Sequence, residues 1–177
     1  MKIERIPILV KVVAYQVTFL LMHFLYDWFP GGITRFFGAT NESMFQHMKV
    51  VFYCYLLLTG IEYALTRRAI AAAVRYLYAR LLGAVLMPLL MNIYYFTAAA
   101  YVGRLTSIPL EVAYANLVLL ALSATTFLLE RYFEQSEPAR PLKWVIWILF
   151  VIAISEFVLF NQRLPWFDVF AIPPGWK

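Results

Sequence analysis

Residues 142–160 read LKWVIWILFVIAISEFVLF, and only Lys143 and Glu156 in this stretch carry a charge. A helix rises 1.5 Å per residue and the hydrocarbon core of a bilayer is about 30 Å thick, so about 20 mainly apolar residues are needed to cross it. The stretch therefore predicts a membrane-spanning helix. The other apolar stretches of the chain are therefore interpreted with lipid, and not water, as their solvent.

The composition of the whole chain also indicates a membrane protein. Its 177 residues are 63% hydrophobic and 14% charged, against about 45–50% and about 25% in soluble domains. The net charge is +5, but the Lys and Arg residues lie between apolar runs, where they set topology and meet lipid headgroups, and no basic groove is visible. Nucleic-acid binding is therefore not expected. The single cysteine, Cys54, excludes an intramolecular disulfide and a cysteine-based metal cage.

Four more apolar stretches accompany the one at residues 142–160. We therefore predict an all-α integral membrane bundle of about five transmembrane helices, in a single transmembrane domain over residues 1–177. The segment at residues 69–80 is rich in Ala and Arg, which is typical of either a short interfacial helix or an inner extension of the third span. The predicted spans cover residues 6–29, 42–66, 81–102, 110–133 and 142–160, and a surface tail rich in Pro and Trp follows at residues 161–177.

The positive charges predict the orientation of these spans. With five spans, the side that holds the N-terminus carries ten of the 15 Lys and Arg residues, and the opposite side carries five. The positive-inside rule then places the N-terminus in the cytoplasm and the C-terminus outside, in a multi-pass protein of the cell membrane. Glu62 and Glu130 lie near the inner ends of their spans. Ion pairs with the nearby Arg67 and Arg131 would explain why two acidic residues occur there.

Polar residues gather toward the outer side of the predicted bundle. His23 and Asp27 are four residues apart, so on a continuous helix they share one face. A carboxylate in that position can orient an imidazole or bind a metal ion beside it. The alternative is a local hydrogen-bonded pair at the level of the lipid headgroups.

A second polar group opens the second span, where Asn41-Glu42-Ser43 precedes His47. Asn is a favoured N-cap and an acid suits the first turn of a helix, so capping alone is one interpretation. The other is a site for a divalent metal such as zinc, manganese or iron, with His23, Asp27, Glu42 and His47 as ligands or catalytic residues. Ser43, His47 and Asp27 could also be a nucleophile, its base and an orienting acid. Glu156 or Glu111 could complete the metal ligands.

A resemblance to a family of small, uncharacterised prokaryotic multi-pass proteins rests on these same residues. The matching segments are HFLYDW at residues 23–28, NESMFQHMK at residues 41–49 and the Pro- and aromatic-rich tail. The family is similar in having a His-x-x-x-acid pair at the end of its first span and Asn-Glu-Ser-x-x-Glu-His-x-Lys at the start of its second. This chain has Gln46 where the family usually has Glu. The resemblance implies a membrane bundle but no activity.

Three functions are compatible with this sequence. The first is an enzyme whose outer polar site acts on a lipid or lipid-linked substrate, with a divalent metal as its candidate cofactor. The second is a transporter or proton-coupled carrier lined by polar groups from all spans. The third is a structural or accessory subunit that packs in an oligomer or against a partner, since the fourth span has small residues that allow close helix packing. The lipid bilayer is the expected partner in all three.

Overall fold

The computed structural model describes residues 6–103, 105, 107–162 and 170–172, and this part of the chain contains helices and no strand. The predicted all-α fold is therefore confirmed. The helices are α1 (Ile8–His23), α2 (Leu25–Trp28), α3 (Gly32–Phe37), α4 (Met44–Thr66), α5 (Ala73–Val102), α6 (Ile108–Phe133) and α7 (Arg140–Phe160).

Four of these helices are long and apolar enough to cross a membrane: Met44–Thr66, Ala73–Tyr101, Ile108–Phe133 and Arg140–Phe160. The fifth apolar helix, α1, has 16 residues, which gives about 24 Å at 1.5 Å per residue and is shorter than a bilayer core of about 30 Å. The stretch expected as one span at residues 6–29 is divided, because α1 ends at His23 and α2 begins at Leu25. The protein is a polytopic helical membrane protein.

Four helices form a closed ring in which α1 packs on α4, α4 on α5, α5 on α6 and α6 on α1. The ring encloses large side chains that are almost fully buried, among them Tyr15, Tyr55, Met87, Leu122 and Phe127. Helix α7 lies outside this ring against α5. Only 11% of its most apolar window is buried, so most of its surface is left for lipid.

Helix α5 begins at Ala73, eight residues before the predicted third span, and it continues through Pro88. Most of the basic segment at residues 69–80 is therefore the inner extension of this span and not a separate interfacial helix. The extension carries Arg80 into the bundle, where the residue is only 6% exposed. A cation buried this deeply needs partners, since an unpaired charge in a low-dielectric environment is costly.

Those partners form an ion-pair network of Lys11, Glu62, Arg80, Glu130 and Glu134, contributed by α1, α4, α5, α6 and the residue that follows α6. Lys11 Nζ lies 3.0 Å from Glu62 Oε2 and also pairs with Glu130. Arg80 lies 3.2 Å from Glu62 and 3.0 Å from Glu130, and it pairs with Glu134. Glu62 and Glu130 thus pair across the bundle and not with their sequence neighbours, because their side chains point inward and Arg67 is exposed.

Candidate metal centre

A break in the first apolar stretch places His23 at the end of α1. The chain turns through α2 and α3 and comes back against this end at Gly38. A Cβ atom on Gly38 would lie 2.9 Å from the carbonyl oxygen of Thr34, 3.0 Å from that of Met22 and 3.1 Å from the backbone nitrogen of Tyr26. Because all three atoms belong to the backbone, only glycine allows the loop after α3 to lie this close to the end of α1.

This loop continues into the start of α4. The Oδ1 atom of Asn41 accepts a hydrogen bond of 2.9 Å from the backbone N–H of Ser43. Ser43 is the N-cap, and its hydroxyl accepts a 3.4 Å hydrogen bond from the N–H of Gln46. Glu42 therefore precedes the helix and is not in its first turn, so the capping interpretation does not account for its carboxylate.

The carboxylate of Glu42 lies between the two histidines of the chain. Its Oε1 is 3.5 Å from Nε2 of His23, and its Oε2 is 3.3 Å from Nε2 of His47. The two imidazole rings are 4.9 Å apart between centroids. One ligand atom from each residue can be chosen so that all three lie within 4.8 Å of one another. We call His23, Glu42 and His47 the His–Glu–His group.

The hydrogen bonds of His47 define which of its nitrogens faces the carboxylate. Nδ1 of His47 lies 2.9 Å from the backbone carbonyl oxygen of Ser43. A carbonyl oxygen only accepts, so Nδ1 carries a proton and donates it. In a neutral His47, Nε2 would then point its lone pair at the carboxylate of Glu42. Either a proton on Nε2 or a cation between the two side chains has to remove that repulsion.

The carboxylate itself strongly favours its charged form. Partial burial alone would raise the pKa of Glu42, but hydrogen bonds from His23 and His47 and their positive charge outweigh it and lower the pKa to about 2. The side chain of Glu42 is 24% exposed and that of His23 is 11% exposed. The group is thus a carboxylate held between two imidazoles at the edge of the bundle, and a divalent cation there would replace the protons of those imidazoles.

The nitrogen–oxygen separations of the group are near those around a tetrahedral metal ion, and they run to the two different oxygens of Glu42. Bonds of 2.0–2.1 Å to nitrogen and oxygen put neighbouring ligand atoms at about 3.4 Å from each other. The two nitrogen–oxygen separations of 3.3 and 3.5 Å are close to that value, and they are longer than a typical charge-assisted hydrogen bond of about 2.7–2.9 Å. Nδ1 of His23 is buried and has no hydrogen-bond partner in the described part of the chain, so one ligand would lack the outer hydrogen bond that usually orients it.

A cavity of about 390 Å³ adjoins the His–Glu–His group. All three residues of the group line it, together with side chains from α1, α5 and α6. Three polar residues face the same space: Tyr95, Glu111 and Asn116. The hydroxyl of Tyr95 donates a 3.0 Å hydrogen bond to Glu111. The group therefore has room beside it for a molecule larger than water.

Three of the predicted site residues, His23, Glu42 and His47, come together in the structure. The other two, Asp27 and Glu156, have exposed side chains and lie outside this group. The helix break at Phe24 explains the placement of Asp27, because the i and i+4 positions no longer share one helix. Glu111 lines the adjoining cavity without being part of the group.

The predicted Ser43–His47–Asp27 arrangement is not assembled. The hydroxyl of Ser43 caps α4, and His47 contacts the backbone of Ser43. Gln46 is buried and its Oε1 accepts from the N–H of Thr40 at 3.4 Å, so the departure from the family motif at this position falls outside the His–Glu–His group. Sequence reasoning gave no site role to Tyr95, because hydropathy alone does not show which face of α5 meets the cavity.

The resemblance of the first two spans to an uncharacterised family stays a prediction, and part of it, the tail at residues 163–169 and 173–177, lies outside the described residues. The candidate site is therefore identified from the positions and the chemistry of its residues. Comparison with family models, with curated proteins and with solved structures finds no match to this chain.

Proposed function

We propose that this protein is a membrane enzyme that holds a divalent metal ion between His23, Glu42 and His47 and acts on a lipid or lipid-linked substrate. The observation that carries the proposal is the convergence of two imidazole Nε2 atoms on one carboxylate, while Nδ1–H of His47 donates a hydrogen bond to the backbone carbonyl of Ser43. Two histidines and one glutamate, with a fourth position open, are the ligand set of several hydrolytic zinc enzymes.

Each residue has a distinct part in this proposal. The carbonyl of Ser43 fixes the tautomer and the ring orientation of His47, which leaves Nε2 as the ligand atom. Glu42 supplies the negative charge that favours a divalent cation over a second proton. A zinc ion held by these three residues would supply Lewis-acid chemistry, lowering the pKa of bound water to about 7 and polarising carbonyl groups, which would suit hydrolysis of an ester or amide. Tyr95 and Glu111 face the same cavity and can bind the polar part of a substrate.

The first test is the metal content of the detergent-purified protein after dialysis against Zn²⁺ and then against metal-free buffer. We expect about one metal ion per chain in the wild type. The variants His23→Ala, Glu42→Gln and His47→Ala each remove one of three ligands, so each is expected to weaken binding at least tenfold, in line with the 10–100-fold that even outer partners contribute.

Exposed acids of the same chain provide the matched controls. Asp27→Asn and Glu156→Gln change a carboxylate outside the His–Glu–His group and are expected to keep the metal content of the wild type. A wild type without metal, or equal loss in the control and ligand variants, would refute the metal site. Loss in Asp27→Asn as well as in the three ligand variants, with Glu156→Gln unchanged, would instead support the four-ligand site predicted from the sequence.

A backbone prediction tests how the loop positions Glu42. Gly38→Ala would force a Cβ atom against three backbone atoms within 3.1 Å, so the loop that carries Glu42 has to move away from the end of α1. We expect about tenfold weaker Zn²⁺ binding, because misplaced supporting groups cost 10–100-fold. The control is Gly32→Ala, whose Cβ would meet no atom within 4 Å; equal affinities in the two variants would contradict this account. The measurement is Zn²⁺ titration by isothermal calorimetry.

One observation also favours a structural role. The low pKa of Glu42 would result equally from two protonated histidines that tie the end of α1 to the start of α4. In that case the protein contains no metal, and His23→Ala lowers its thermal stability. The same measurements decide between the two functions. We place the protein in the cell membrane with its N-terminus in the cytoplasm, which the distribution of Lys and Arg supports.

A further inference from the structure

We propose that the cavity beside the His–Glu–His group binds a single long acyl chain that enters sideways from the bilayer, with a carboxylate or ester head at the group. This inference rests on the proposed function for the chemistry at the head, and it names the class of substrate. Binding of an acyl chain in the cavity depends on the shape and lining of the cavity, which the metal measurements do not test.

The walls of the cavity are mainly apolar. They include Phe19 and Leu20 from α1, Met91 and Phe96 from α5, and Leu119 from α6. The polar lining consists of the His–Glu–His group and the nearby Tyr95, Glu111 and Asn116. A small number of polar groups in an otherwise apolar pocket is the pattern that orients a ligand by its head and binds it by its apolar body.

The edge of the cavity is apolar. Leu20, Phe24, Phe96 and Val112 all line the cavity, and between 38% and 51% of each residue is exposed, so the cavity is open at apolar side chains. They belong to or adjoin the apolar helices α1, α5 and α6, whose outer surface meets hydrocarbon in a membrane. An opening lined by apolar side chains on such helices admits a lipid chain without taking it through water.

The polar lining and the volume of the cavity limit the chemistry and the size of a molecule that binds there. Glu111 accepts from Tyr95, and Asn116 accepts a 2.7 Å hydrogen bond from the side-chain amide of Gln16, so these residues form an ordered polar lining beside the apolar walls. A volume of about 390 Å³ lies in the range of about 300–1,000 Å³ of small-molecule sites. This favours one chain with its head over a complete two-chain phospholipid.

The test uses palmitic acid with a diazirine at the chain end and an alkyne for detection, added to the Zn²⁺-loaded protein in lipid nanodiscs. After photolysis, labelled peptides are mapped by mass spectrometry. We expect labelling on α5 and α6 at Met91, Phe96 or Leu119, and we expect excess unlabelled palmitate to suppress it. Labelling spread evenly over the exposed face of α7, or not reduced by competition, would overturn the proposal.

Matched variants of α6 make the test specific. Ala115 lines the cavity, whereas Ala113, two residues earlier, is exposed and does not. Ala115→Trp fills the cavity and is expected to lower the competed labelling at least tenfold, while Ala113→Trp changes it less than twofold. If Ala115→Trp does not fold, Val112→Trp at the exposed edge gives the same test, with Leu117→Trp on the exposed surface as its control. Equal labelling in the variant and its control would refute the cavity.

Metal analysis of the same samples separates this inference from the proposed function. Metal bound without competed labelling in the cavity refutes the acyl-chain site and leaves the metal centre standing. Competed labelling in a protein that binds no metal supports the acyl-chain site and refutes the metal enzyme. Competed labelling together with bound metal supports both.

Discussion

Replacing Gly83 with alanine is expected to destabilise the protein by about 3 kcal/mol, at the upper end of the usual cost of overpacking. A Cβ atom at this position would lie 2.6 Å from Cζ of Tyr55 and closer still to its hydroxyl. Tyr55 cannot easily move aside, because it is 1% exposed and its hydroxyl donates a 2.8 Å hydrogen bond to Glu130. Losing a hydrogen bond to a charged group costs about 1.5–3 kcal/mol.

The measurement is the free energy of unfolding in mixed micelles titrated with SDS. Gly60→Ala is the matched control, since a Cβ atom there meets nothing within 4 Å and alanine is favoured over glycine inside a helix by about 1 kcal/mol. Gly83→Ala combined with Tyr55→Phe, which removes the nearest atom, should cost less than the sum of the two single changes. Equal stability of Gly83→Ala and Gly60→Ala would show that α4 and α5 are not packed this closely.

The spans of this protein are predictable because the hydrophobic effect acts on every residue of a long apolar stretch. The stretch at residues 142–160 predicts α7 (Arg140–Phe160) within two residues at its N-terminal end and without error at its C-terminal end. The end of α1 at His23 is not predictable from hydropathy. It depends on the loop that returns through Gly38, and hydropathy contains no information about such a contact between distant segments.

The candidate site was predictable to a similar extent. Histidine and acidic residues are rare and costly near a membrane core, which is why His23, Glu42 and His47 stand out in the sequence. The cavity beside them was not predictable, because it depends on which faces of α1, α5 and α6 meet. Arg80 illustrates the same limit. As a basic residue before a predicted span it indicates a cytoplasmic end, yet the early start of α5 buries it.

Replacing Lys11 with methionine is expected to cost about 3–5 kcal/mol of stability, the range for removing one partner of a buried ion pair. Lys11 pairs with Glu62 and Glu130, whose side chains are 12% and 2% exposed. It also lies 4.6 Å from the centroid of the Phe127 ring, which adds a cation–π contact. Without Lys11, Arg80 is the cation among the described residues whose ion pairs with Glu62, Glu130 and Glu134 remain.

The control is Lys143→Met, the same substitution at a lysine that pairs with the half-exposed Glu137. Exposed pairs contribute about 0–1 kcal/mol, so this variant should unfold within about 1 kcal/mol of the wild type in the same SDS titration. Equal destabilisation by the two substitutions would contradict the account, because the buried pairs of Lys11 would then contribute no more than the exposed pair of Lys143. Adding Glu130→Gln to Lys11→Met removes one of the three carboxylates that then share Arg80, and we expect the double variant to be more stable than Lys11→Met alone. Such a rescue would be difficult to explain by packing, because neither methionine nor glutamine restores any contact that Lys11 made.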